Sequence, residues 1–242
     1  MSSYLTVLAI ALLPVGGNVL GSLTAEMMRV SPWIIGAALH AAAGVAIAVV
    51  SVDMMPWALD RLAVWILVAA FIVGAAFSIL LKWGVEWGRQ RFAAGSAGAW
   101  MVYMAVAADL LSDGLMIGAG SAVSSGLGLL LGLSQVVANV PGGFAAMANF
   151  ADEGVKRRTR LLIAGSFVLP VVLGASIGFW LLRGAGETLE NAALAFIVGV
   201  LLLATIEDLV PQADEPGAAR WISTIAFTAG FAFFALLSTY IG

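Results

Sequence analysis

The chain has 242 residues, of which 62% are hydrophobic and 10% charged, with a formal net charge of −3, and its mean hydropathy is +1.05. That composition excludes an ordinary soluble domain and indicates an all-α polytopic membrane protein. Cysteine is absent, which removes disulfides, thiolate metal sites and Cys nucleophiles; a single histidine, His40, leaves any metal site mainly to oxygen donors, and no long basic run argues for nucleic acid.

A helix needs about 20 residues to cross the hydrocarbon core. Breaks at charged and Gly/Pro-containing stretches then predict eight spans, at 4–27, 32–57, 62–83, 98–120, 126–149, 159–182, 191–211 and 221–241. They leave nothing substantial outside, so residues 1–242 read as a single transmembrane domain. The first span has no Lys or Arg before it and no convincing cleavage site, so it reads as a retained helix rather than a signal peptide. Arg29, Lys82, Arg89, Arg91, Lys156, Arg157, Arg158, Arg160 and Arg220 fall in or beside the first, third, fifth and seventh loops, against Arg61 and Arg183 on the other side. The positive-inside rule then places both termini on the non-cytoplasmic side of the cell membrane. The run EGVKRRTR at 153–160 is a cytoplasmic loop anchor on this reading.

In the second span, AALHAAAGVAIAVVSVDMMPWA at 37–58 aligns without gaps to AALAFIVGVLLLATIEDLVPQA at 192–213 in the seventh, sharing Ala-Ala-Leu, Gly-Val and Asp-x-x-Pro-x-Ala. Two similar segments crossing in opposite directions are the mark of an inverted repeat, here of helices 1–3 and 6–8, with helices 4 and 5 between them. The segments carry acidic residues near their ends, Asp53 in one and Glu207 with Asp208 in the other, suited to collecting cations at one mouth and discharging them at the other. Solvated helix ends beside a proline break are the alternative. His40 lies between alanines of the second span, as a proton relay or as a hydrogen-bonded structural histidine.

The fourth span contains AADLLSDG at 107–114. Each carboxylate near the bilayer centre costs roughly 2.5–3.5 kcal/mol on insertion scales, which makes such a residue a functional-site candidate. Asp109 and Asp113 are spaced i, i+4, which puts both on one helix face with Cβ atoms about 5–6 Å apart, a separation suited to a shared cation or proton. The fifth span is expected to face them. There Gln135 and Asn139 again stand i, i+4, and Pro141 withholds the N–H that the carbonyl of Val137 would use. Carboxylates, an amide oxygen and a free carbonyl make a hard-cation site; interhelical hydrogen bonding is the other reading for Gln135 and Asn139. No nucleophile-and-base set is present, so no enzyme is expected.

This pattern resembles the ZIP family of zinc and iron permeases. The fourth-span motif, similar to HNxPEG or HNxxDG, reads Asp109-Leu110-Leu111-Ser112-Asp113-Gly114, and the fifth-span motif, similar to HNIPEG or HDIPEG, reads Ala138-Asn139-Val140-Pro141-Gly142-Gly143. The resemblance implies eight helices in a 3+2+3 arrangement, both termini outside, and a metal site on helices 4 and 5. Carried over position by position, Asp109 stands for a histidine ligand, Asp113 keeps a bridging carboxylate and Asn139 keeps an oxygen donor. Ala138 stands where a histidine is found, Gly142 where a second bridging carboxylate is found, and Leu169 before Pro170 where a glutamate is found. The implied function is transport of a divalent metal such as Zn, Fe or Mn through a reduced, oxygen-rich site at Asp109, Asp113 and Asn139, with Asp53, Gln135, Glu207, Asp208 and His40 along the pathway. Such donors suit Mn²⁺, Mg²⁺ or Fe²⁺ better than a thiolate or polyhistidine set would. The alternative is a metal-independent ZIP homologue. Expected partners are the lipid bilayer, the divalent ion and a second copy in a homodimer; no catalytic cofactor is expected.

Overall fold

The computed structural model describes residues 3–28, 31–92, 97–215, 217 and 219–241. Arg29, one of the orientation charges, lies outside them. Among the described residues the chain is helical throughout, with no strand. It has eight helices long and apolar enough to cross a membrane. They are α1 (Tyr4–Met27), α2 (Pro32–Arg61), α3 (Val64–Phe92), α4 (Ala97–Val123), α5 (Ser125–Asp152), α6 (Arg157–Leu182), α7 (Glu187–Asp214) and α8 (Arg220–Ile241). Both α2 and α7 run about a turn beyond the limits expected from hydropathy.

Local chemistry accounts for the ends and breaks. Ser3 and Ser124 cap α1 and α5, their hydroxyl oxygens accepting from the N–H groups of Thr6 and Leu127 at 3.1 Å. In α6 the helix is interrupted at Phe167, where Pro170 supplies no N–H to the carbonyl of Ser166. Single π-helical turns occupy Val49–Met54 in α2 and Thr205–Leu209 in α7. They fall at matching places in the two similar segments, each just before the proline, Pro56 or Pro211, that breaks the α-helical bonding pattern.

Small residues set the packing, as expected where helices lack a hydrophobic driving force for association. A Cβ at Gly44 of α2 would sit 2.0 Å from the carbonyl oxygen of Phe227 of α8, and one at Gly230 of α8 would sit 2.0 Å from that of Ala41. The α3 and α7 pair repeats the arrangement. Gly74 meets the carbonyl of Phe196 at 2.0 Å and Gly199 meets that of Phe71 at 2.2 Å. This equivalence exposes a second similarity: WILVAAFIVGAAFSILL at 65–81 and WISTIAFTAGFAFFALL at 221–237 share Trp-Ile, Ala-Phe, Gly-x-Ala-Phe and Leu-Leu in register. In the same manner α1 packs on α5, with Gly17 against Val136 and Gly21 against Val140, while α6 packs on α4, with Gly174 against Leu111 and Gly178 against Leu115.

Several charges at the helix ends are engaged. Glu26 at the end of α1, with only 4% of its side chain exposed, accepts two hydrogen bonds from Arg160 at the start of α6, and Arg157 lies 3.4 Å away. Arg160 also donates to the carbonyl of Val155. The basic run therefore fastens α6 to α1 as well as carrying charge. Arg61 lies 3.7 Å over the Trp57 ring and Arg183 lies 5.0 Å over that of Trp180, cation–π contacts that suit aromatic-rich helix ends.

Candidate functional site

Two polar side chains meet inside the bundle between α4 and α5. Asn139 donates through Nδ2 to Asp113 Oδ2 at 2.7 Å and to the carbonyl of Gln135, one turn back, at 3.0 Å. Asp113 is 3% exposed and Asn139 2%, and Gln135, one turn before Asn139, is buried as well. Both amide hydrogens of Asn139 are thereby used, and the carboxylate gains a donor in surroundings where an unpaired charge is costly. To act as a cation donor, Asn139 must turn its amide so that Oδ1 instead faces Asp113.

Asp109 goes elsewhere. Residues four apart on a helix differ by about 40° around its axis, and that difference separates the two carboxylates: Asp113 is buried against α5, whereas Asp109 is exposed. The expectation that both point together at Gln135 and Asn139 is therefore not the arrangement seen. Asp109 is still close enough that its charge acts on Asp113, and the charge of Asp208 on α7 acts on Asp109. Among the described residues, no three His, Asp or Glu side chains cluster closely enough to hold a metal ion.

Glu207 and Asp208, expected along the pathway, are joined by Lys82, whose part in the group the sequence pattern did not indicate. Lys82 Nζ of α3 lies 2.8 Å from Asp208 Oδ1 and 3.7 Å from Glu207 Oε2, and donates to the backbone carbonyl of Glu207 at 3.0 Å. That carbonyl is available because Pro211, four residues on, has no N–H to offer it. Lys82, Glu207 and Asp208, with Ser78 and Glu86, line a hollow of about 110 Å³. In sequence Lys82 counts only toward orientation; its alignment with Ser238 in the similar α3 and α8 segments is the signal that sets it apart.

Asp53 occupies the corresponding place in α2. Its Oδ1 accepts a hydrogen bond from Ser238 Oγ of α8, and its Oδ2 is buried without a hydrogen-bond partner. His40 is buried between α2 and α7, with Nδ1 2.9 Å from the carbonyl of Gly36 and Nε2 3.2 Å from Asp214 Oδ1. Both nitrogens are engaged. Leu169 points outward, 70% exposed. A Cβ added at Gly142 would lie 3.7 Å from Val106 of α4, ordinary contact distance, so a side chain has room there.

Asn18 of α1, not singled out from sequence, is fully buried, and neither of its amide atoms has a hydrogen-bond partner. Its backbone packs on Gly143, whose carbonyl accepts from Ser22 Oγ at 3.2 Å. The amide thus enters the bundle beside the segment of α5 that carries Asn139. No protein-family model matches the chain, and no curated protein is significantly similar to it.

Proposed function

We propose that this chain is a multi-pass transporter of a divalent metal cation, resembling the ZIP family, with an inverted repeat of α1–α3 and α6–α8 enclosing α4 and α5. The matching π turns, the mutual glycine contacts of α2 with α8 and α3 with α7, and the two pairs of similar segments support the repeat. Under the positive-inside orientation, Glu207 and Asp208 lie toward the cytoplasmic mouth and Asp53 toward the outer one.

The observation that carries the reading is the buried Asp113–Asn139 pair, with Asp109 one turn before Asp113 on the same helix. A carboxylate this deep is expensive to keep unless it serves a substrate or ion pathway. A divalent ion at Asp113 would take over the neutralising role of the Asn139 amide, which turns to offer Oδ1, with the Val137 carbonyl and water completing an oxygen shell. Asp109 and then Asp208 provide successive negative positions toward the mouth. An all-oxygen set of this kind suits Mn²⁺, Mg²⁺ or Fe²⁺, with Zn²⁺ less favoured for want of imidazole donors.

One observation favours the alternative of a metal-independent homologue: no three acidic or histidine side chains cluster among the described residues. Equilibrium binding of the purified protein to a panel of divalent ions separates the two readings. Saturable binding at micromolar metal is expected for the transporter. Its absence decides for the second reading.

A further inference from the structure

We infer that the π turn of α2 forms a site for one monovalent alkali cation of the sodium type, held by Asp53, Ser238 and the carbonyl of Val52. This rests on the proposed relation between the two halves of the chain and not on which divalent ion is transported.

The α7 half shows what such a turn holds. There a carboxylate, Asp208, and a backbone carbonyl released by proline, that of Glu207, converge on one positively charged nitrogen, with contacts of 2.8 and 3.0 Å. The Lys82 ammonium is in effect a cation on a tether, placed at a point that two oxygens reach together. In α2 the oxygens are repeated. Asp53 aligns with Asp208, Val52 with Glu207 and Pro56 with Pro211, so the Val52 carbonyl loses its α-helical donor for the same reason.

The tethered charge differs, and so does the side chain beside it, Val52 in place of Glu207. In the gap-free alignment of α3 with α8, Lys82 corresponds to Ser238, and Ser238 is the residue that reaches Asp53. A neutral hydroxyl thus stands where the other half has an ammonium. Ser238 satisfies Asp53 Oδ1 and keeps oxygen lone pairs free, while Asp53 Oδ2 is buried with no partner. A bare buried carboxylate oxygen calls for a counter-charge. Because Val52 replaces Glu207, one carboxylate remains where the other half has two, and a single positive charge balances it. Carboxylate, carbonyl and hydroxyl oxygens are the hard donors that alkali cations take at interrupted membrane helices.

The test is equilibrium binding of ²²Na⁺ to the purified full-length chain in detergent, in choline chloride with divalent ions chelated. The wild-type protein is expected to bind sodium saturably, one ion per chain. Ser238→Lys supplies the tether and should abolish binding, as should Asp53→Asn, whereas Lys82→Ser should add a second bound ion. Where Asp53→Asn or Ser238→Lys does not purify as a folded protein, Ser238→Thr should retain binding and Ser238→Ala should weaken it by at least about tenfold. Absence of saturable sodium binding in the wild type overturns the inference, and so does binding that Ser238→Lys, or both Ser238→Thr and Ser238→Ala, leave unchanged. Loss of divalent-ion binding with sodium binding intact would instead overturn the proposed function alone.

Discussion

Asn139 of α5 donates a 2.7 Å hydrogen bond to Asp113 of α4, joining the two helices inside the bundle. This contact sets a first prediction. Asn139→Leu removes both donors and leaves a buried carboxylate bare, at a cost of about 1–3 kcal/mol, so thermal unfolding in detergent should shift downward. Asn139→Asp places a second carboxylate against the first. It should lower the melting temperature in chelator and raise it again when Mn²⁺ is added, beyond the shift Mn²⁺ produces in the wild type.

Helix contacts give a second prediction that uses two neighbours in one helix. A Cβ at Gly17 would fall 2.1 Å from the carbonyl oxygen of Val136, whereas one at Gly16 would have nothing within 4 Å. Gly17→Ala must push α1 away from α5 and is expected to destabilise by about 1–3 kcal/mol. Gly16→Ala should be neutral or slightly stabilising, since alanine is the better helix former. Melting curves of the two variants, measured side by side, check the difference.

Eight spans and their approximate limits were legible because apolar runs of membrane-spanning length are the strongest pattern an amino-acid sequence carries. The similarity of α2 to α7 was legible too, through Asp-x-x-Pro-x-Ala. That of α3 with α8 was not: Gly, Phe and Leu in an apolar run read as filler until Gly74 and Gly230 are seen at equivalent backbone contacts. At the site, Asp113 with Asn139 followed from i, i+4 spacing on facing helices. Spacing could not say that the bundle closes over Asp113 and leaves Asp109 open, because that depends on how α4 is rotated against its neighbours. Lys82 and Arg160 were read only as loop-side charges, since their partners Asp208 and Glu26 lie more than a hundred residues away in the chain.

The room beside Gly142 gives a third prediction. A side chain there would approach Val106, one turn before Asp109 on α4, without a clash. Gly142→Glu should therefore fold and bring a third carboxylate toward the pair on α4. Titration of Mn²⁺ or Zn²⁺ by calorimetry is expected to show at least about tenfold tighter binding than in the wild type. An unchanged affinity in a folded variant would mean that position 142 does not face the ion.

Uptake of divalent metal into proteoliposomes tests the central claim most directly, comparing the wild type with the double variant Asp109→Asn, Asp113→Asn. Both substitutions preserve shape while removing the charge along the interior path, so the variant should insert and melt much as the wild type does. The account predicts metal-dependent uptake by the wild type and its loss in the double variant. Uptake that persists undiminished in a folded double variant would contradict it.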